Sequence, residues 1–470
     1  MKYLTTLLLG LFLTFCSREP TVVERVQSSG VLRVITVAGP ATYYQGRDGP
    51  AGLEHDLASR FAGELGVTPR MVVVASGAAA LEALSRGEGD LVAAGLAVTG
   101  ERRRLVRFGP AYQETLLQVV YRQGTRAPRT AEDLVGHQVE VMAGALEAHQ
   151  LATLRAELPG LTWRETPASQ HGEILSLVHE QLVDYAVATA QEIALLRRFY
   201  PELRVAFDVS PPTSVAWAFP RHTDDSLYVA AVRLFNRLRA NGELDQILER
   251  HFGHMGQFDY QDVRGLMLHV AQRLPSLQST FEAAAQRTDL DWRLLAAVGY
   301  QESRWDPLAV SPTGVRGVMM LTRDTAQRLG VKRREDPEQS IHGGARYLAF
   351  MKESVPDRIA EPDRTWLALA AYNVGVGHLA DARRLTHQLG GDPDRWVDVK
   401  KHLPLLSQPQ WHRKVRHGYA RGREPVDFVD SVRHYYDILV WHDQRHQPGL
   451  PPPPPIPDVP DEWLLSVPAV

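Results

Sequence analysis

Asp291-Trp292-Arg293-Leu294-Leu295-Ala296-Ala297-Val298-Gly299-Tyr300-Gln301-Glu302-Ser303 sets a carboxylate on what is otherwise an apolar helical face. The stretch reads as a helix with Asp291 near its start, a residue type suited to that position. Leu295, Val298 and Glu302 fall at i, i+3 and i+7 and share a face. Burial there disfavours the charged form of Glu302 and raises its pKa. Its place near the helix C-terminus, the negative end of the dipole, pushes the same way. A carboxylic acid still protonated near neutral pH is what a general acid for glycosidic cleavage needs. Taken alone, a Glu at a helix end is more often one half of a surface ion pair.

Two neighbouring stretches reverse that balance. Ser311-Pro312-Thr313-Gly314-Val315-Arg316-Gly317-Val318-Met319-Met320-Leu321 is a glycine-punctuated turn that lets backbone approach a ligand closely. Ala370-Ala371-Tyr372-Asn373-Val374-Gly375 follows a helical run from Trp366, and its Tyr and Asn offer a phenol and an amide to sugar hydroxyls or an N-acetyl group. Together these stretches resemble the lytic transglycosylases with a lysozyme-like, goose-type fold. The hallmarks of that family are Glu-Ser, a Gly-x-x-Gly-x-Met-Gln stretch, Ala-Tyr-Asn-x-Gly and a late Tyr, here matched by Tyr435 in Arg433-His434-Tyr435-Tyr436. Met320 stands where the family has Gln, so a polar contact is exchanged for a thioether while the acid is kept.

The resemblance implies Glu302 as the catalytic residue, and Ser303, Gly314, Gly317, Met319, Tyr372, Asn373 and Tyr435 as substrate-binding positions. It also implies a lyase-type cleavage of peptidoglycan glycan strands. Hydrolysing glycosidases generally need two carboxylates, whereas this route needs one, because substrate atoms do the second job. Asp306 follows Glu302 at i+4, but Pro307 places it in a turn, where it reads as structural.

Upstream, residues 20–255 alternate short β-like runs with helical stretches, which argues an α/β domain with a mostly parallel sheet. The runs are Val31–Val37, Met71–Val74, Asp90–Val98, Gln138–Met142, Tyr185–Ala188 and Val215–Phe219, with a helix from Gly52-Leu53 ending near Gly66. The ordered series Gly87–Thr99, Glu101-Arg102, Phe108–Tyr112, Asp133–Gly136 and Asn241–Leu244 resembles the family 3 periplasmic solute-binding proteins, which have two lobes. In that family the Arg matching Arg102 holds a ligand carboxylate, as a planar guanidinium suits. Thr99 and Arg102 are therefore the expected ligand-binding positions of a regulatory or targeting module. Thr189 stands where the family has an Asp for the ligand's amino group, which leaves a free amino acid, a peptide, or no ligand open.

The fold class expected is thus multidomain: an α/β two-lobed binding-protein-like domain at 20–255, then a mainly α, lysozyme-like domain at 256–447, with a hinge near Gly253–Gln257. Residues 448–470 form a Pro-rich tail that includes Pro451 to Pro455. At the other end, Lys2 precedes an apolar run from Leu4 to Phe15, the length of a signal-peptide core and too short to span a bilayer. Cys16, the only cysteine, closes this 1–19 segment and resembles the acylated Cys of bacterial lipoproteins, with Phe15 in place of the usual small residue.

This places the enzyme at the periplasmic face of the outer membrane, peripheral or lipid-anchored. A net charge of −3 gives no pull toward nucleic acid. No P-loop, zinc-type spacing or calcium loop is present in the sequence, so neither cofactor nor metal is expected. The partners expected are peptidoglycan strands and a muropeptide or amino-acid-like ligand in the first domain. Two other readings remain at this stage: a hydrolytic muramidase, and a solute sensor whose second domain only binds sugar.

Overall fold

The computed structural model describes residues 19–445, apart from 40–41, 47–48, 144, 167–172, 198–199, 201, 222–223 and 254–259. The candidate lipidation residue Cys16, the Pro-rich tail and most of the expected hinge lie outside the described residues. Among the described residues no helix is long and apolar enough to cross a membrane.

The first domain is built on two five-stranded sheets. In the first, Val31–Val37 runs parallel to Thr68–Val74, with Val31 opposite Thr68 and Val37 opposite Val74, and parallel to Leu91–Val92 on its other side. In the second, Val139–Met142 lies between Arg164–Thr166 and Tyr185–Thr189, all parallel. The sheets are mixed rather than mostly parallel. Ala218–Phe219 joins the first antiparallel, and Leu117–Arg122 is antiparallel to both its neighbours in the second. The reversal follows from chain path. The chain leaves the first lobe near Gln113–Thr115 and returns at Thr213–Val215, and these two segments pair as an antiparallel ribbon. Residues after the return complete the first lobe, so that lobe is discontinuous in sequence.

The expected Asp90–Val98 strand shrinks to Leu91–Val92, because the chain turns at Gly95, whose φ of 63° is left-handed. Its backbone N–H donates to the buried Glu54 carboxylate at 2.7 Å. The Trp217 indole N–H (2.8 Å) and the Tyr112 hydroxyl donate to the same group. Such a buried carboxylate is tolerable only when its oxygens are satisfied. Phe61, Trp217 and Phe235 pack around this point as the centre of the lobe's core.

The second domain is helical. Trp292–Ser303 is its central helix, packed against Leu274–Thr288 and Glu424–Arg445. Asp291 caps it, accepting from the Arg293 N–H at 2.9 Å and from the Tyr436 hydroxyl at 2.8 Å. The helix stops at Arg304 and Trp305, both with left-handed φ (53° and 58°). This fold-back tucks the Trp305 indole under the helix, where its N–H donates to Ala296 O at 2.8 Å. Leu295, Val298, Leu367, Ala370 and Val432 are fully buried around it.

The domains meet through the helix Glu243–Phe252. The buried Arg433 guanidinium pairs with Glu249 Oε1 (2.6 Å) and donates to the carbonyls of Glu249 and Arg250 (3.0 and 3.2 Å), which lie in the last turn of that helix. Lys400 Nζ also reaches Glu249 at 3.0 Å, and Gln246 donates to Asp363. Burial alone would raise the Glu249 pKa, but the Arg433 and Lys400 charges hold it below its usual value. The nearby Asp430, farther from both cations, is pushed up by burial to about 6.

Candidate active site

Glu302 sits in the last turn of Trp292–Ser303, one turn beyond the buried Val298. The residue keeps a partly exposed edge, while its carboxyl is enclosed enough that burial raises its pKa to about 8. No neighbouring charge contributes to that shift. The group is thus a protonated acid at neutral pH, held so by desolvation.

The loop Gly314–Leu321 is fixed beside this acid by several donors. Ser303 Oγ donates to Val318 O at 2.8 Å, and the Tyr372 hydroxyl donates to Met319 O at 3.1 Å. Ser340 Oγ accepts from the Met319 N–H at 3.1 Å. From the outside, the Arg334 guanidinium donates to Gly314 O and Leu321 O at 3.0 and 2.9 Å. Gly317, at a φ of 82°, presses against the Arg334 carbonyl so closely that a Cβ would overlap it. Only glycine fits both constraints. Tyr372 is close enough for the Glu302 charge to help raise its pKa, after burial, and its ring lies against Tyr347 and Phe428.

Ser303, Tyr372 and Met319 were expected to touch substrate. The Ser303 and Tyr372 hydroxyls donate to loop carbonyls. Met319 is fully buried, and any Cβ on Gly344 would collide with it, so its side chain belongs to the core. Met320, by contrast, is partly exposed, in a left-handed conformation (φ 42°). Asn373 is exposed, and its amide makes no hydrogen bond to a described residue.

Tyr435 is the late tyrosine of the resemblance. It is buried edge-on against Tyr300, with ring centroids 4.8 Å apart. Tyr300 lies two positions before Glu302, on a different flank of the helix, so Tyr435 braces the helix there. The exposed late tyrosine is Tyr419, at 57%. The sequence reading also missed Arg334 and Tyr347; nothing local to them signals a role in shaping this site. Asp306 accepts from the Leu308 N–H at 2.9 Å and caps a turn, as read from the sequence.

In the first domain a cavity of about 1320 Å³ is lined by Thr99, Glu101, Arg102, His149, Trp163 and Arg221, among others. Arg102 is mostly buried and donates to Ala97 O at 3.1 Å; Thr99 Oγ1 accepts from its backbone N–H. Burial lowers the guanidinium pKa against the opposing charges of Glu147 and Glu101. Glu147 is itself buried, and desolvation followed by the charge of Glu192 pushes it up to about 8. Thr189 caps the helix Ala190–Leu196 in a reciprocal arrangement with Glu192. The acids near Arg102 are therefore Glu147 and Glu101, with Glu192 beside Glu147, and none of them is at the position where the binding-protein family keeps its Asp.

The family of bacterial extracellular solute-binding proteins, family 3, matches residues 32–254, and the transglycosylase SLT domain matches residues 279–393. The SLT match, around this buried acid, and the relatives that follow place the chain among the peptidoglycan lytic transglycosylases, which are lyases. Membrane-bound lytic murein transglycosylase F 1 of Alkalilimnicola ehrlichii is 49% identical over 94% of this chain and 93% of its own length. Membrane-bound lytic murein transglycosylase F of Pseudomonas fluorescens Pf-5 is 45% identical over 95% of this chain and 92% of its own. Among solved structures, a mutant of ArgBP from T. maritima aligns at a TM-score of 0.45 and 22% identity, covering 49% of this chain and 99% of that one. The chain belongs to the membrane-bound lytic murein transglycosylase F family, and is a membrane-associated enzyme of that family.

Proposed function

We propose that the protein cleaves the bond between N-acetylmuramic acid and N-acetylglucosamine without water, using Glu302 as its only acid and base. Glu302 donates its proton to the bridging oxygen, and the 2-acetamido group assists departure. The carboxylate so formed then takes the proton of the muramic C6 hydroxyl, whose oxygen closes on C1 to give a 1,6-anhydro end. The observation that carries this reading is an enclosed carboxyl raised to about 8 by burial alone, with no charged partner. A muramidase of the two-carboxylate kind would set a second ionisable carboxylate beside it. Ser303, Gly314, Gly317 and Tyr372 shape the loop at the substrate, and Asn373 offers it a free amide. The test is digestion of purified sacculi. Released fragments should resist borohydride reduction, because a 1,6-anhydro end carries no free aldehyde; reducible ends throughout would favour the hydrolase.

The first domain, in this reading, binds a muropeptide or amino-acid-like ligand, with Arg102 on a carboxylate. Its occupancy regulates or positions the enzyme. Charge-assisted hydrogen bonds contribute about 1.5–3 kcal/mol each. Arg102→Ala should therefore weaken binding of soluble stem peptides to the full-length protein at least about tenfold by calorimetry; unchanged affinity would remove Arg102 from the site. Attachment to the periplasmic face of the outer membrane is assigned to lipid on Cys16. Cells fed a fatty-acid analogue should label the protein, and the Cys16→Ser variant should stay unlabelled. Absence of label on both would assign attachment to another route.

A further inference from the structure

Between the short helix Pro409–His412 and the helix Glu424–Arg445 the chain is basic and aromatic: Trp411-His412-Arg413-Lys414-Val415-Arg416-His417-Gly418-Tyr419-Ala420-Arg421-Gly422-Arg423. This contrasts with a chain whose net charge is −3. Arg413, Lys414, Arg416 and Tyr419 are exposed. Arg421 and Arg423 are paired with Glu424 and Asp427 at 3.0 and 2.8 Å. Arg413, Lys414 and Arg416 have no acidic partner among the described residues, and Lys414 lies over the Trp411 ring at 5.3 Å.

The loop is held in place despite its exposure. The buried Asp381 carboxylate accepts from the Arg416 and His417 N–H groups at 3.2 and 2.6 Å. Gly422 is seated on the Leu403 carbonyl, and Ala420 N donates to Leu406 O at 3.3 Å. The His417 ring packs on Gly377, where a Cβ would come within 2.7 Å of its Nδ1. Gly377 lies four residues after Asn373, the residue with the free amide, in the first turn of the next helix, Val376–Gln388. A fixed, unneutralised cationic surface therefore adjoins the end of the site.

Neutral sugars give such charges nothing to pair with, whereas the peptide stems on muramic acid carry free carboxylates. We propose that Arg413, Lys414 and Arg416 form a subsite for stem-peptide carboxylates, which makes the enzyme prefer peptide-bearing strands. This rests on the transglycosylase reading. Anionic lipid would also attract cations, but the contact with Gly377 sets the loop beside the segment that carries Asn373.

The experiment compares wild type with an Arg413→Gln/Lys414→Gln/Arg416→Gln variant on peptide-bearing strands and on the same strands with their peptide carboxylates capped as methylamides. Exposed ion pairs are individually weak and sum to about tenfold for such a set. The variant should lose about tenfold in kcat/KM on peptide-bearing strands and keep its rate on the capped ones. Arg413→Lys/Arg416→Lys should retain the preference, and salt should erase it. Sedimentation of the same set in a Glu302→Gln background reads binding without turnover, so failure of the catalytic reading and failure of the subsite appear separately. Equal losses on both substrates, no loss on either, or a defect confined to pelleting with phosphatidylglycerol vesicles would overturn the proposal.

Discussion

Glu302→Gln should leave less than about 1% of wild-type cleavage of sacculi while making the protein more stable. Removing a general acid costs on the order of 10²–10⁴-fold, and no charged neighbour stands by to replace it. The stability gain follows from the same burial. Glu302 titrates at about 8 in the folded chain against 4.5 as an ordinary carboxyl. A raised folded pKa gives a contribution fully present below 4.5 and lost as pH rises through 8. Gln carries no such loss. The variant's advantage should be nil near pH 4.5 and grow toward pH 8, reaching about 2–3 kcal/mol once the partial exposure of Glu302 is allowed for. Melting curves at two pH values check the sign. The wild-type rate should in turn decline above pH 8 as the acid loses its proton. A variant that keeps several per cent of activity would remove Glu302 from the chemistry, and one that melts lower at pH 7.5 would contradict the raised pKa.

Arg433→Ala should be among the most destabilising single changes available. Arg433 is 2% exposed and joins Glu249 to Asp430, covers Trp366 at 4.9 Å, and satisfies two carbonyls of the first domain's last helix. Its removal leaves buried acids with Lys400 as their one nearby cation. Breaking one side of a buried pair typically costs about 3–5 kcal/mol. For a domain of this size that corresponds to a fall in Tm of roughly 10 °C. Glu249→Gln/Arg433→Met should recover part of the loss, because no unpaired Glu249 charge remains. A drop of under about 2 °C for Arg433→Ala would mean that the domains are not held together here.

The parts of this molecule legible from sequence are the local ones. The helix Trp292–Ser303, its Asp291 cap and the enclosed Glu302 follow from periodicity and residue type within a dozen positions. The same holds for Val31–Val37 and for the helix ending before Gly66. Non-local pairing was not legible. The Gln113–Thr115/Thr213–Val215 ribbon that makes the first lobe discontinuous joins segments far apart in the chain, and neither carries a pattern naming the other. Hydroxyl use was hidden for a related reason. Ser303 and Tyr372 advertise donors, but only the fold shows that Val318 O and Met319 O receive them. Likewise the letters of Tyr435 and Tyr419 do not show that the first is buried and the second exposed.

The central claim is that one carboxyl performs both proton transfers and that water takes no part. Digestion of sacculi in H₂¹⁸O, followed by mass spectrometry of the released fragments, tests it most directly. The account predicts muramic ends lighter by one water than a hydrolysed end, with no ¹⁸O at C1, and less than about 1% of the wild-type fragment yield from Glu302→Gln. Fragments carrying ¹⁸O at C1 would show that water, and not the C6 hydroxyl, attacks the sugar, and the single-carboxyl mechanism would be wrong.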